Sequence, residues 1–97
     1  MAEANRSFKN LKKIKIAQHR ADVNIGKNGL HEGVISEIKR HLKDHGAVKI
    51  RILKSARSNI TDEDIRRLAN LLNAFIVDER GYTYVLISRK REKKARR

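Results

Sequence analysis

Between Ala21 and Leu53 the apolar residues change period twice, which leaves room for little besides a strand, a helix and a second strand. Ala21 to Ile25 alternates, with Val23 and Ile25 on one face, and the run stops at Gly26. Leu30, Val34, Ile38 and Leu42 then recur every four residues, with Ile35 beside them. This spacing predicts an amphipathic helix from about Leu30 to His45, ended by Gly46 in the left-handed conformation. Val48, Ile50 and Ile52 alternate with Lys49 and Arg51, a strand buried on one face and basic on the other.

The remainder follows the same logic. Lys54 to Asn59 reads as a polar loop, and Thr61 supplies a capping hydroxyl ahead of Asp62, Glu63 and Asp64. Those acids are first-turn residues that complement the helix dipole, and Ile65, Leu68, Ala69 and Leu72 carry the helix to about Asn73. Phe75 to Asp78 and Tyr82 to Ser88 are two strands joined by a turn at Glu79-Arg80-Gly81. Phe8 to His19 allows two readings. Leu11, Ile14 and Gln18 suit a short helix, whereas Ile14, Ile16 and Gln18 alternate like a strand; the helix is preferred. The order is then a first helix followed by β-α-β-α-β-β, an α/β two-layer sandwich with a mixed four-stranded sheet and the first helix packed separately. Residues 11–89 form the single domain, between a basic disordered arm at 1–10 and a basic disordered tail at 90–97.

Charge narrows the function. The chain of 97 residues has 24 basic and 11 acidic side chains, for a net +13. Residues 1–21 contribute six basic groups against Glu3, and residues 89–97 contribute seven against Glu92. The span between them has eleven basic against nine acidic residues. A nearly balanced globule with basic ends is the profile of a polyanion binder, because each phosphate contact releases a counterion. Cysteine is absent, which excludes disulfides and thiolate metal sites. No run approaches the roughly 18 apolar residues of a membrane span, and the basic tail has only Ala95 to offer to lipid. A soluble cytoplasmic monomer without membrane contact is expected.

The chemistry concentrates at Gly26-Lys27-Asn28-Gly29. Two glycines allow a sharp turn with no Cβ in the way of a phosphate, and Lys27 and Asn28 add a charge and a hydrogen-bonding amide. If the loop opens directly into the helix at Leu30, the free first-turn amides complete an anion site. The motif is neither a mononucleotide P-loop nor the dinucleotide G-x-G-x-x-G, so no nucleotide cofactor is implied. G-x-x-G loops that clamp single-stranded nucleic acid mark KH domains, where the loop joins two helices; here a strand precedes it.

With this loop, Leu30 and Glu32-Gly33-Val34, the helix and the Val48-Lys49-Ile50 strand, the segment from Ala21 to Leu53 resembles the CRM (chloroplast RNA splicing and ribosome maturation) domain in its stand-alone YhbY-like form. Gly81 in the last hairpin extends the likeness, which covers most of residues 12 to 89. The resemblance implies an α-β-α-β-α-β-β fold related to the C-terminal domain of a bacterial translation initiation factor. It also implies RNA binding, rRNA in precursors of the large ribosomal subunit as partner, and a phosphate-binding role for Gly26, Lys27, Asn28 and Gly29. His31 stands where the family often has threonine, a substitution expected to weaken the helix cap, and the family's first helix is longer and more apolar.

Other candidate contacts are the early cluster Lys12, Lys13, Lys15 and Arg20, which runs into the loop strand, and the outward Lys49 and Arg51. Lys54 and Arg57 in the following loop join them, with Arg89, Lys90 and Arg91 at the start of the tail. Tyr82 or Tyr84 could stack a base, while Phe75 is read as core. His41 and His45 have helical spacing but no third ligand, so no metal is assigned. No nucleophile, base and orienter can be assembled, so no catalysis is expected. An Alba-like chromatin protein, with DNA as a ligand, is the alternative reading, and a module that holds an acidic protein partner is the third.

Overall fold

The computed structural model describes residues 8–89. The elements are α1 (Phe8–Ala17), β1 (Val23–Ile25), α2 (Glu32–His45), β2 (Ala47–Ile52), α3 (Asp62–Leu71), β3 (Ala74–Arg80) and β4 (Thr83–Ser88), with a short 3-10 turn at Lys54–Ala56. Of the arm expected at 1–10, residues 1–7 lie outside the described residues, as does the tail at 90–97, whereas Phe8 to Asn10 are not an arm but the first turn of α1. The sheet order is β1-β2-β4-β3. β1 runs parallel to β2, pairing Val23 with Ile50 and Ile25 with Ile52, and the other two pairings are antiparallel. This is the mixed four-stranded sheet that the alternating periods predict.

Alternation decides which residues face which helix. Val48, Ile50 and Ile52 of β2 and Tyr84 and Leu86 of β4 point to one face. There they pack with Val23, Ile25, Ile38 and Leu42, and with Ile65, Leu68 and Ala69 of α3. Their neighbours Ala47 and Ile87 point to the opposite face, where Leu11 of α1 and Val77 cover them. The first helix is therefore packed separately, across the sheet from α2 and α3. Its buried residue is Leu11, while Ile14 stays 51% exposed and the strand reading of this segment falls away.

Three boundaries moved for identifiable reasons. α2 begins at Glu32 rather than Leu30, because His31 is its extended N-cap. The imidazole Nδ1 accepts from the Gly33 N–H at 3.1 Å, so histidine caps the helix instead of weakening it. Gly33 makes room for this, since a Cβ there would lie 3.0 Å from the ring. α3 has the expected Thr61 cap, with the Asp64 carboxylate accepting from the Thr61 N–H in return, but stops at Leu71. Asn73, at φ 58°, then turns the chain into β3. β3 continues through Arg80, and Arg80 pairs with Thr83. The hairpin turn is thus Gly81-Tyr82 rather than Glu79-Arg80-Gly81, with Gly81 at φ 58°.

Candidate nucleic-acid interface

Because β1 and β2 are parallel, both end on the same side of the molecule, and β4 starts there. Three connections converge at that end: the Gly26–Gly29 loop after β1, residues 53–57 after β2, and the Gly81-Tyr82 hairpin. Hydrogen bonds join them. Leu53 N–H donates to Ile25 O at 2.9 Å and Ile52 N–H to Tyr82 O at 2.8 Å. The carboxyl ends of parallel strands are a common place for a ligand to meet loop residues from separate parts of a chain.

The loop is a tight turn closed by Gly29 N–H to Gly26 O at 2.8 Å. Only Gly29 requires glycine conformationally, at φ 67°, and a Cβ there would meet nothing within 4 Å. A Cβ on Gly26 would make ordinary contact with Leu53 at 3.9 Å. Lys27 and Asn28 are exposed, with no partner among the described residues. One expected component is missing. The loop does not run directly into α2: Leu30 and His31 intervene, the Gly33 N–H is already taken by His31, and Glu32 puts a carboxylate in the first turn. The donors this loop can offer an anion are therefore Lys27, Asn28 and the turn amides rather than those of the helix terminus.

The remaining cations divide sharply by partner. Lys54 and Arg51 are exposed and unpaired among the described residues. Arg51 lines a cleft with His19, Lys49, Arg80 and Thr83, where Arg80 is held 3.3 Å from Asp78. Arg57 is half-buried, its Nε donating to Ile52 O at 3.2 Å and its guanidinium lying over the Tyr82 ring. Arg89 covers the half-buried Phe75 ring, 4.5 Å from its centroid. Lys13 and Arg20 are exposed, and Lys12 is half-buried. Lys90 and Arg91 lie outside the described residues. The early cluster does not sit beside the loop. Leu11 packs on Ala47, where β2 starts, so the helix begins towards the opposite end of the sheet and only its C-terminus approaches Arg51.

Lys15 is withdrawn from the contact surface. Its ammonium lies 2.6 Å from the Asp22 carboxylate, and both side chains are largely buried. Asp22 also accepts from Gln18 Nε2 at 3.0 Å and from the Lys49 N–H at 2.8 Å. Lys49 Nζ in turn donates to the Ile16 and Gln18 carbonyls at the end of α1. Burial raises the Asp22 pKa, but the hydrogen bonds from Lys15, Lys49 and Gln18 and the Lys15 charge outweigh it, so the carboxyl titrates below its ordinary value. Asp22 was invisible to sequence reasoning because its partners lie 4, 7 and 27 residues away.

The two tyrosines separate as well. Tyr84 is 3% exposed, and its hydroxyl donates to the Asp62 carboxylate. Burial, then this hydrogen bond and the nearby acidic charge, push its pKa above that of a free phenol. It cannot stack a base. Tyr82, past the end of the strand pairing, is 48% exposed. The His41 and His45 rings lie 5.8 Å apart, and no group of three or more possible metal ligands occurs among the described residues. No described helix is long and apolar enough to cross a membrane.

Comparison with known families agrees with this architecture. The family model of the CRS1/YhbY (CRM) domain matches residues 5–87. The chain belongs to the CRM domain family. Among solved structures, this CRM chain is similar to the solution structure of SAV1595 from Staphylococcus aureus, described as a candidate RNA-binding protein. The two share 23% identity over 82% of this chain and 81% of the other, with a TM-score of 0.57, a likeness of fold. No curated protein matches significantly.

Proposed function

We propose that this CRM-domain protein binds RNA as a monomer in the cytoplasm and associates with rRNA in precursors of the large ribosomal subunit. The observation that carries the reading is the convergence of Lys27, Asn28, Lys54 and the exposed hairpin at one end of the sheet, in a chain of net +13. The Gly26–Gly29 loop positions the phosphodiester backbone, Lys54 and Arg51 extend the contact, and the charge-rich ends supply affinity. It is a binding module rather than a catalyst.

The test is a titration of structured rRNA fragments, single-stranded RNA and double-stranded DNA at several salt concentrations. Structured rRNA should bind tightest, with affinity falling steeply as salt rises. Equal or tighter binding of duplex DNA would overturn the RNA assignment. Gly29→Asp places a carboxylate at the phosphate position and should weaken RNA binding by about tenfold or more while the protein stays folded. Unchanged affinity in a folded variant would remove the loop from the interface.

A further inference from the structure

Phosphate contact makes no use of the pair formed by Tyr82 and Arg57. The Arg57 guanidinium sits 4.1 Å from the centroid of the Tyr82 ring. Its Nε is tied to Ile52 O at 3.2 Å, which holds the cation over the ring rather than leaving it to sweep through solvent. The Tyr82 backbone is fixed as well, accepting from Ile52 N–H at 2.8 Å directly after Gly81 in its left-handed conformation. With one ring face under Arg57, Tyr82 still remains 48% exposed. Of the aromatic side chains the structure describes, Tyr84 is buried and Phe75 lies under Arg89. Tyr82 is the exposed one.

We infer that Tyr82 and Arg57 form a stacking platform for a single unpaired base of the bound RNA; the inference rests on the RNA-binding reading above. A ring braced by a fixed guanidinium presents a flat surface whose ordering cost is met before the ligand arrives, and both planes stack on nucleobases. The platform lies across the end of β2 from the Gly26–Gly29 loop, two interstrand spacings or roughly 10 Å away. Neighbouring nucleotides of one strand can therefore place a phosphate at the loop and a base on Tyr82. A base inside a duplex is unavailable for this contact, so the platform favours loops, bulges and single strands. With one exposed tyrosine or phenylalanine among the described residues, the platform takes one base, and it tolerates any sequence.

The experiment compares a hairpin RNA bearing an unpaired loop with a fully paired RNA duplex of equal length, against the wild-type chain, Tyr82→Ala and Tyr82→Phe. Tyr82→Ala should lose about tenfold in affinity for the hairpin and nothing for the duplex, while Tyr82→Phe, which keeps the ring, should match wild type. 2-Aminopurine placed in the hairpin loop should be quenched by the wild-type chain and not by Tyr82→Ala. Hairpin affinity of Tyr82→Ala equal to wild type, or an equal loss on both RNAs, overturns the platform while leaving RNA binding intact. Failure of the wild-type chain to bind either RNA overturns the functional reading, and the platform with it.

Discussion

The anchor around Asp22 and the loop end of the sheet are built from the same residue types but use them differently. At the anchor, Lys15 and Lys49 are committed: one to a carboxylate at 2.6 Å, the other to carbonyls at the end of α1. At the loop end, Lys27, Asn28 and Lys54 are exposed and have no partner among the described residues. Counting basic residues along the chain cannot separate the two groups. Lys15 lies in the early cluster that sequence alone assigns to RNA, yet its charge is already neutralised by Asp22. Accounting for partners sorts structural cations from those free to meet a ligand.

The largest expected effect breaks the anchor. Asp22→Asn leaves the buried Lys15 ammonium without its counter-ion and should destabilise the fold by about 3 kcal/mol, read from urea unfolding. An unchanged midpoint would show that the ion pair carries no net stability. The same carboxylate gives the anchor a pH signature. Because its folded pKa lies below that of the unfolded chain, its stabilisation is fully present above the unfolded value of about 3.9. It is lost as pH falls through the depressed folded value. The stability gap between wild type and Asp22→Asn should therefore close on acidification below about pH 4.

Lys27→Gln and Lys54→Gln should each weaken RNA binding several-fold and lower the salt slope by about 0.7 to 0.9, leaving stability within about 0.5 kcal/mol. Lys15→Gln should do the reverse, lowering stability with the salt slope unchanged. A lower slope for Lys15→Gln would return that residue to the interface. The smallest effect belongs to the cap of α2. Gly33→Ala brings a Cβ to 3.0 Å from the His31 ring; displacing the cap costs about 1 kcal/mol and alanine's helix propensity returns a similar amount, so thermal stability should stay within about 0.5 kcal/mol. Adding His31→Thr, whose cap does not need the space beside residue 33, should then raise stability by about 1 kcal/mol.

Part of this architecture was legible because it depends on local rules. The four-residue recurrence from Leu30 to Leu42 and the alternation through Val48, Ile50 and Ile52 each report one inward face: Ile38, Leu42 and the three strand residues are buried, with Leu30 and Val34 half-buried against them. Gly46 ends α2 at φ 81°, and Thr61 caps α3, because each acts on backbone within a turn of itself. His31 was misjudged for a similarly local reason. Propensity rates histidine a poor cap, but with glycine at 33 the imidazole reaches the amide that threonine would have served. The site was less legible. Lys27 and Asn28 stand out by motif, whereas the joining of Lys54, Arg57 and Tyr82 to them depends on which strands end together.

By itself the sequence determined the elements from Ala21 onward, their order and the loop, because hydrophobic period and turn chemistry act over a few residues, but it left Phe8 to His19 open between helix and strand. Only the tertiary structure decided which charges are available. Asp22 meets Lys15 and Lys49 only when α1, β1 and β2 come together. Tyr82 and Tyr84, two residues apart, diverge because the strand pairing ends at Thr83 and leaves one ring at a turn. Contacts between residues far apart in the chain are absent from any local pattern, and those contacts determine which side chains are left for RNA.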